Sequence, residues 1–337
     1  MAKIFDEALQ SSNVTIRETG MQCLVEIGRQ EYNMMVNYID KICQVTSYVA
    51  KNDESQVGSQ GIEFWTTIAE VELARLEKKG QIHNFTHTYK DFLIQLLLEG
   101  ISNVQIDDED DAEEEWGVNL SCGCCLVKLS LLLKNEVLGP VVQFVSANIT
   151  HSDWKNRYAA LMALGAVADG PEKQKFAEIL TPSIAQLCNM FKDQSVKVRE
   201  AIAWVIFQIC THHADVMVST IEQTAMFISV LIESLADRPR VSVYLCQAFE
   251  KLAESLAPIS SDQIENRLTP HFEQIAEALF KNAARVSEDD STTGIVQASY
   301  ASLTSLCQAS CVKSNGSLLQ MLNMILEQLR MTIENPN

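Results

Sequence analysis

Glycine and proline are scarce in this sequence, 13 and 7 among 337 residues, and aromatic residues make up only 7% of it. A β-rich fold, with a turn about every 8–12 residues, would need more of both turn formers. The shortage favours long helices joined by short turns. Cations are also in deficit: Lys and Arg total 26 against 44 Asp and Glu, a net charge of -18. That argues against direct nucleic-acid binding, which depends on clustered cations that neutralise phosphates. No apolar run reaches the ~18 residues of a membrane span, and the opening Met1-Ala-Lys-Ile-Phe-Asp-Glu7 lacks the cationic start and apolar core of a secretory signal. The ten cysteines (23, 43, 122, 124, 125, 188, 210, 246, 307 and 311) lie inside apolar periodic stretches. There a thiol behaves as a small hydrophobe, so a reducing compartment and no disulfide framework are expected.

Against this background one segment stands out. Asp107, Asp108, Glu109, Asp110, Asp111, Glu113, Glu114 and Glu115 make eight of nine consecutive residues acidic, and the run stops at Trp116. So many carboxylates cannot be buried together, so residues 105–116 read as a solvated loop whose field attracts a cationic partner within about 8–10 Å. The indole gives that partner a surface to stack on. Taken alone, the run would more often be a solubilising loop.

The rest of the chain repeats. Leu138-Gly-Pro140-Val-Val142, Leu180-Thr-Pro182-Ser-Ile184 and Leu268-Thr-Pro270-His-Phe272 share a Leu-x-Pro-x-apolar start, with prolines 42 and then 88 residues apart. The longer interval is two periods of 44, with an unmarked copy near Thr224 that keeps its apolar helix, Met226 to Leu235. Downstream in each unit a polar turn leads into an Arg-bearing helix: Asn13…Arg17, Asp153…Arg157, Asp193…Arg199 and Asp237…Arg240. Apolar residues three and four apart follow, as at Met21, Leu24, Val25 and Gly28. A two-helix period in the low forties with these marks is the signature of HEAT repeats. The expected fold is all-α, a right-handed solenoid of about seven units. They are placed at 1–31, 32–81, 82–135, 136–170, 171–214, 215–259 and 260–316, with an extra helix at 317–333. In such an array second helices line a concave binding groove. The uncapped apolar start, with Ile4, Phe5, Ala8 and Leu9, suggests an internal slice of a longer array.

With those marks in place, a specific resemblance appears. The acidic run ending at Trp116, Asp153-Trp154-Lys-Asn-Arg157, Val198-Arg199-Glu-Ala-Ile-Ala-Trp204, Pro239-Arg240-Val241 and Gln60-Gly-Ile-Glu63-Phe-Trp65 together resemble the importin-β (karyopherin-β) family, in order and spacing. The resemblance implies a non-catalytic nuclear import receptor, cut from the central third of the full protein, that moves between cytoplasm and nucleus through the pore of the nuclear envelope. It implies that the groove grips a basic helix of an importin-α-type adaptor, or a basic cargo. The acidic loop and the groove tryptophans Trp116 and Trp204 would make those contacts. It also implies regulation by the GTPase Ran, weakly bound here because the family's main Ran surface lies in earlier repeats. Phe-Gly nucleoporins would dock near Phe5, Met34, Met35, Val36 and Tyr38, although apolar residues of first helices are core by default.

Several positions stay open at this level. Trp204, between Ala203 and Val205, is read as groove-facing, with a core role as the alternative. Trp65 and Trp154 are read as core. Glu63 and Glu70, seven apart on one helix, can share the groove face or serve as solvated ion-pair partners. Where the family places another groove tryptophan this chain has Cys246-Gln247-Ala248, so one cation-stacking position is expected to be missing. Another class of function, a HEAT scaffold resembling a phosphatase regulatory subunit, remains the alternative. No enzyme, cofactor or metal site is expected. Cys122-Gly-Cys124-Cys125 lacks a second pair and reads as packing, and His83 and His87 share a helical face without the glutamate of a zinc peptidase. His212-His213 reads as a helix end.

Overall fold

A computed structural model describes residues 10–104, 117–260, 262–285 and 291–334, and every regular element among them is helical. The chain forms two compact units, Met1–Phe176 and Ala177–Asn337.

The first unit opens with α1 (Val14–Gln30), started by Asn13, whose side-chain oxygen accepts from the Thr15 amide and so satisfies one of the helix's free N–H groups. Its inner stripe is Met21, Leu24, Val25 and Gly28. Three helical hairpins follow: α2 (Ile39–Asn52) with α3 (Ser55–Glu77), α4 (Lys90–Ser102) with α5 (Val118–Leu133), and α6 (Leu138–Asn148) with α7 (Trp154–Ala166). The second helices α3, α5 and α7 pack in succession, beginning on α1. At Gly61 a Cβ would stand 2.7 Å from the Thr46 carbonyl oxygen, so α2 and α3 approach as only glycine permits.

In the second unit proline acts directly on the helices. Helix α8 (Lys173–Leu180), in which the division between units falls, gives way to a 3-10 turn at Thr181–Ser183 around Pro182 before α9 (Ile184–Asn189) resumes. Pro182 has no N–H to continue the ladder, and its ring crowds the preceding turn. Pro140 is tolerated inside α6 because it sits in the first turn, where an N–H has no intrahelical acceptor. There follow α10 (Val196–Met217), α11 (Ile221–Ser234) with α12 (Pro239–Ser255), α13 (Phe272–Ala283) with α14 (Ser291–Gln308), and α15 (Asn315–Glu334). Helices α10, α12 and α14 pack in succession. Between α12, α13 and α14 lies a buried polar cluster: Asn282 Nδ2 donates to Ser242 Oγ at 2.9 Å and to Ser299 Oγ at 3.0 Å, and Ser302 donates to the Cys246 carbonyl at 2.5 Å.

The Arg-bearing turns have a common construction. Six residues beyond Ser11, His151 and Asp193, the guanidinium of Arg17, Arg157 and Arg199 returns to donate to that residue's carbonyl at 2.8 Å. Arg17 and Arg199 then reach forward to a carboxylate in the turn of the next hairpin, Asp53 and Asp237, each at 2.6 Å. Arg240 does not belong to this series: it is exposed, and the residue six beyond Asp237 is Val243. Arg285 supplies the missing donor from the following turn, to the Leu235 carbonyl at 2.8 Å and the Asp237 carbonyl at 2.9 Å.

One histidine expectation is corrected. Asn84 adopts a left-handed conformation (φ 55°) that breaks the chain between His83 and His87, so the two share no helix. His83 stacks on Tyr32 with ring centres 5.5 Å apart, and His87 Nε2 lies 3.2 Å from Glu136. The reading of His212 and His213 as a helix end agrees with a kink there: buried His213 has non-helical angles (φ -138°, ψ 35°), and a further helical stretch runs on to Met217.

Candidate functional site

The acidic residues Asp107, Asp108, Glu109, Asp110, Asp111, Glu113, Glu114 and Glu115, and Trp116 beside them, lie outside the described residues. What is described are the two helices they join, α4 ending at Ser102 and α5 beginning at Val118. Beyond α4, Val104 is buried and its carbonyl accepts from Lys155 Nζ at 3.0 Å.

On the first unit, Glu63 and Glu70 project from the same side of α3, Glu63 half-buried and Glu70 exposed. Burial raises the Glu63 pKa above its ordinary value, and the charge of Glu70 adds to the rise, while Arg29 and a hydrogen bond from Thr67 oppose it. Glu70 is 3.2 Å from Lys128 Nζ on α5. A half-buried carboxylate such as Glu63, whose charged form is disfavoured, gains from an incoming cation. Cys124 also emerges here. Cys122 and Cys125 are buried packing residues, but Cys124 is exposed, as is Cys23 on α1, so not every thiol is a small core hydrophobe.

On the second unit the aromatic side of α10 can be read directly. Ala203 and Val205 are fully buried, and Trp204 between them is half-buried. One turn on, Phe207 stacks with Tyr244 of α12, ring centres 6.2 Å apart and planes 25° from parallel. Gln247, three residues beyond Tyr244, is likewise half-exposed. Phe207 and Tyr244 escaped the sequence reading, which sought tryptophan alone; the signal available was their three-residue spacing from Trp204 and Gln247, which puts them on the same helix sides.

The remaining tryptophans divide. Trp65 is fully buried, and its Nε1–H donates to Thr46 Oγ1 at 2.9 Å, a core role. Trp154, read as core, is half-buried: it stands at the first position of α7, where one side of the ring meets Tyr158 edge-on and Lys155 Nζ lies 5.7 Å from the ring centre. Of the apolar residues near the start, Phe5 lies outside the described residues. Met35 is wholly buried, while Met34, Val36 and Tyr38 are exposed. Among the described residues no group of three His, Cys, Asp or Glu is placed to hold a metal ion, and no helix is long and apolar enough to cross a membrane.

These features can be set beside known proteins. The profile of importin subunit beta-1-like TPR repeats matches residues 226–337. Importin subunit beta-1 of Arabidopsis thaliana is 28% identical over 98% of this chain, and that of Schizosaccharomyces pombe 29% identical over 97%. The chain spans 39% and 38% of the length of these two relatives. A crystal structure of importin beta superposes on 98% of the chain at a TM-score of 0.88 and 27% identity, and yeast importin-beta on 99% at 0.88 and 24%. An all-α repeat fold, aligned along almost its whole length with part of larger relatives of one kind, makes the chain similar to importin subunit beta-1.

Proposed function

We propose that this chain is the central section of a nuclear import receptor that binds a basic helix of an adaptor, or a basic cargo, without catalysis. The observation that carries the reading is that Trp204 is only partly buried and stands one helical turn from the stacked Phe207–Tyr244 pair. Aromatic faces accept guanidinium and ammonium groups at about 0.5–2 kcal/mol each, and several such contacts along a helix sum. Glu63 and Glu70 supply carboxylates on the first unit, and the acidic run with Trp116 supplies the longest-range attraction. The seven-unit division of the chain belongs to this reading, with second helices facing the partner.

Regulation by Ran and contact with Phe-Gly nucleoporins are part of the same proposal. A yeast relative has been solved with RanGDP and with Nup1, but at 24% identity those structures establish the shared fold alone. Exposed Met34, Val36 and Tyr38 are the apolar residues available to a phenylalanine. Such a receptor would work in cytoplasm, nucleus and pore.

The test is a titration of the 337-residue chain with an Arg/Lys-rich helical peptide, followed by tryptophan fluorescence at two salt concentrations. Saturable binding that weakens with salt is expected. Lack of binding at low salt would sink the proposal.

A further inference from the structure

At the end of α3 a single guanidinium is held in an unusual posture for so acidic a chain. Arg75 lies over the Tyr32 ring, 4.3 Å from its centre, and its Nη1 donates to Asn33 Oδ1 at 2.8 Å and to the Gln81 carbonyl at 3.4 Å. Both acceptors are neutral. Among the described residues no carboxylate pairs with Arg75, and its Nε–H and Nη2–H groups have no protein acceptor. Glu72, one turn earlier, is fully buried and already occupied by the Tyr32 hydroxyl at 2.6 Å, the Phe85 amide at 2.7 Å and the Thr86 hydroxyl.

The support beneath Arg75 is rigid. Tyr32 is completely buried, its hydroxyl donates to Glu72 and accepts from the His83 amide at 2.8 Å, and the His83 ring stacks on it. Asn33, Arg75, Gln81, Ile82 and His83 border an open cleft of about 700 Å³. Lys78 and Lys79 follow in the sequence, and a role as cations at a helix C-terminus accounts for them. It does not account for Arg75, whose stacking and two neutral anchors fix the guanidinium in place with one edge unused. Nε and Nη2 form the edge that matches two oxygens of a carboxylate or phosphate, and a fork already immobilised loses little freedom on binding.

We propose that this cleft is a recognition site for a peptide-borne oxyanion, a carboxylate or a phosphate, gripped by the Nε–Nη2 edge of Arg75. It is separate from the faces assigned to a cationic partner, and it would let the same chain take an acidic peptide segment.

The experiment is an NMR titration of the 337-residue chain with inorganic phosphate and, separately, with acetate, observing the Arg75 Nε–H and the His83 ring. Saturable shifts at both groups are expected, and whichever anion saturates at the lower concentration identifies the preferred oxyanion. Arg75→Lys keeps the charge but lacks the fork, and it should weaken binding roughly tenfold. Lys78→Gln with Lys79→Gln should leave binding within about twofold, as expected for charges outside the fork. Shifts that never saturate, or equal affinity in Arg75→Lys of unchanged melting temperature, would overturn the proposal. If Arg75→Lys melts early, the lysine pair decides: loss of binding on removing them shows diffuse attraction instead of a site.

Discussion

Arg199 on α10 places Nε 2.6 Å from Oδ2 of Asp237, a residue of the turn inside the next hairpin, between α11 and α12. The same guanidinium closes its own turn on the Asp193 carbonyl, so one side chain ties two successive hairpins together. Hydrogen bonds to charged groups contribute about 1.5–3 kcal/mol each in net terms. Arg199→Ala is expected to cost roughly 2–3 kcal/mol, measured by urea unfolding, and Arg199→Lys most of that because a lysine cannot serve both turns. An unchanged midpoint in both variants would show the clasp to be incidental.

Two tryptophans should respond in opposite ways. Trp65→Ala empties a wholly buried site and removes the hydrogen bond that Thr46 Oγ1 accepts, so a loss of about 3–5 kcal/mol is expected. Trp204→Ala, at a half-exposed position, should change stability by less while weakening binding of a basic helical peptide by about 0.5–2 kcal/mol. Unfolding curves and peptide titrations on the same two variants separate these effects.

Gln247 offers the converse experiment. It is half-exposed on α12, three residues from Tyr244 and its partner Phe207. Gln247→Trp adds an aromatic face to that side and should tighten the basic peptide by about 0.5–2 kcal/mol. If affinity stays the same, the peptide does not pass over α12.

Glu63 gives a pH dependence of definite sign. Its folded-state pKa is raised above the ordinary 4.5, so between 4.5 and the raised value the folded chain holds more protons than the unfolded chain. Stability associated with this group is present below 4.5 and is lost as pH rises through the raised value. Glu63→Gln should remove that loss and flatten the profile. Binding of a basic peptide favours the carboxylate, so in the same window it should release protons, seen as a binding heat that depends on the buffer.

Much of the fold could be read along the chain because its signals are local. Apolar spacing marks α1 through Met21, Leu24 and Val25, and Pro182 marks the break between α8 and α9. The Arg-bearing turns were visible too, but not their forward partners. Asp237 meets Arg199 from 38 residues away, a contact that depends on how hairpins stack. That is also why Arg240 was mistaken for a member of the series, whereas its work is done by Arg285. Asn84 misled for a backbone reason: a left-handed residue interrupts a spacing that looked helical. For the candidate site, Trp204 was legible from its neighbours, while Phe207 and Tyr244 required knowing which helices are adjacent.

The cluster of Ser242, Asn282 and Ser299 bears on how this part of the chain can move. Methyl groups packed on methyl groups can slip by a fraction of an ångström with little loss, because dispersion has no preferred direction. Directional bonds among buried polar atoms have no second-best alignment, and breaking them strands groups away from water. Helices α12, α13 and α14 should therefore travel as one block when a partner deforms the second unit, leaving the seams lined by hydrocarbon to take up the strain.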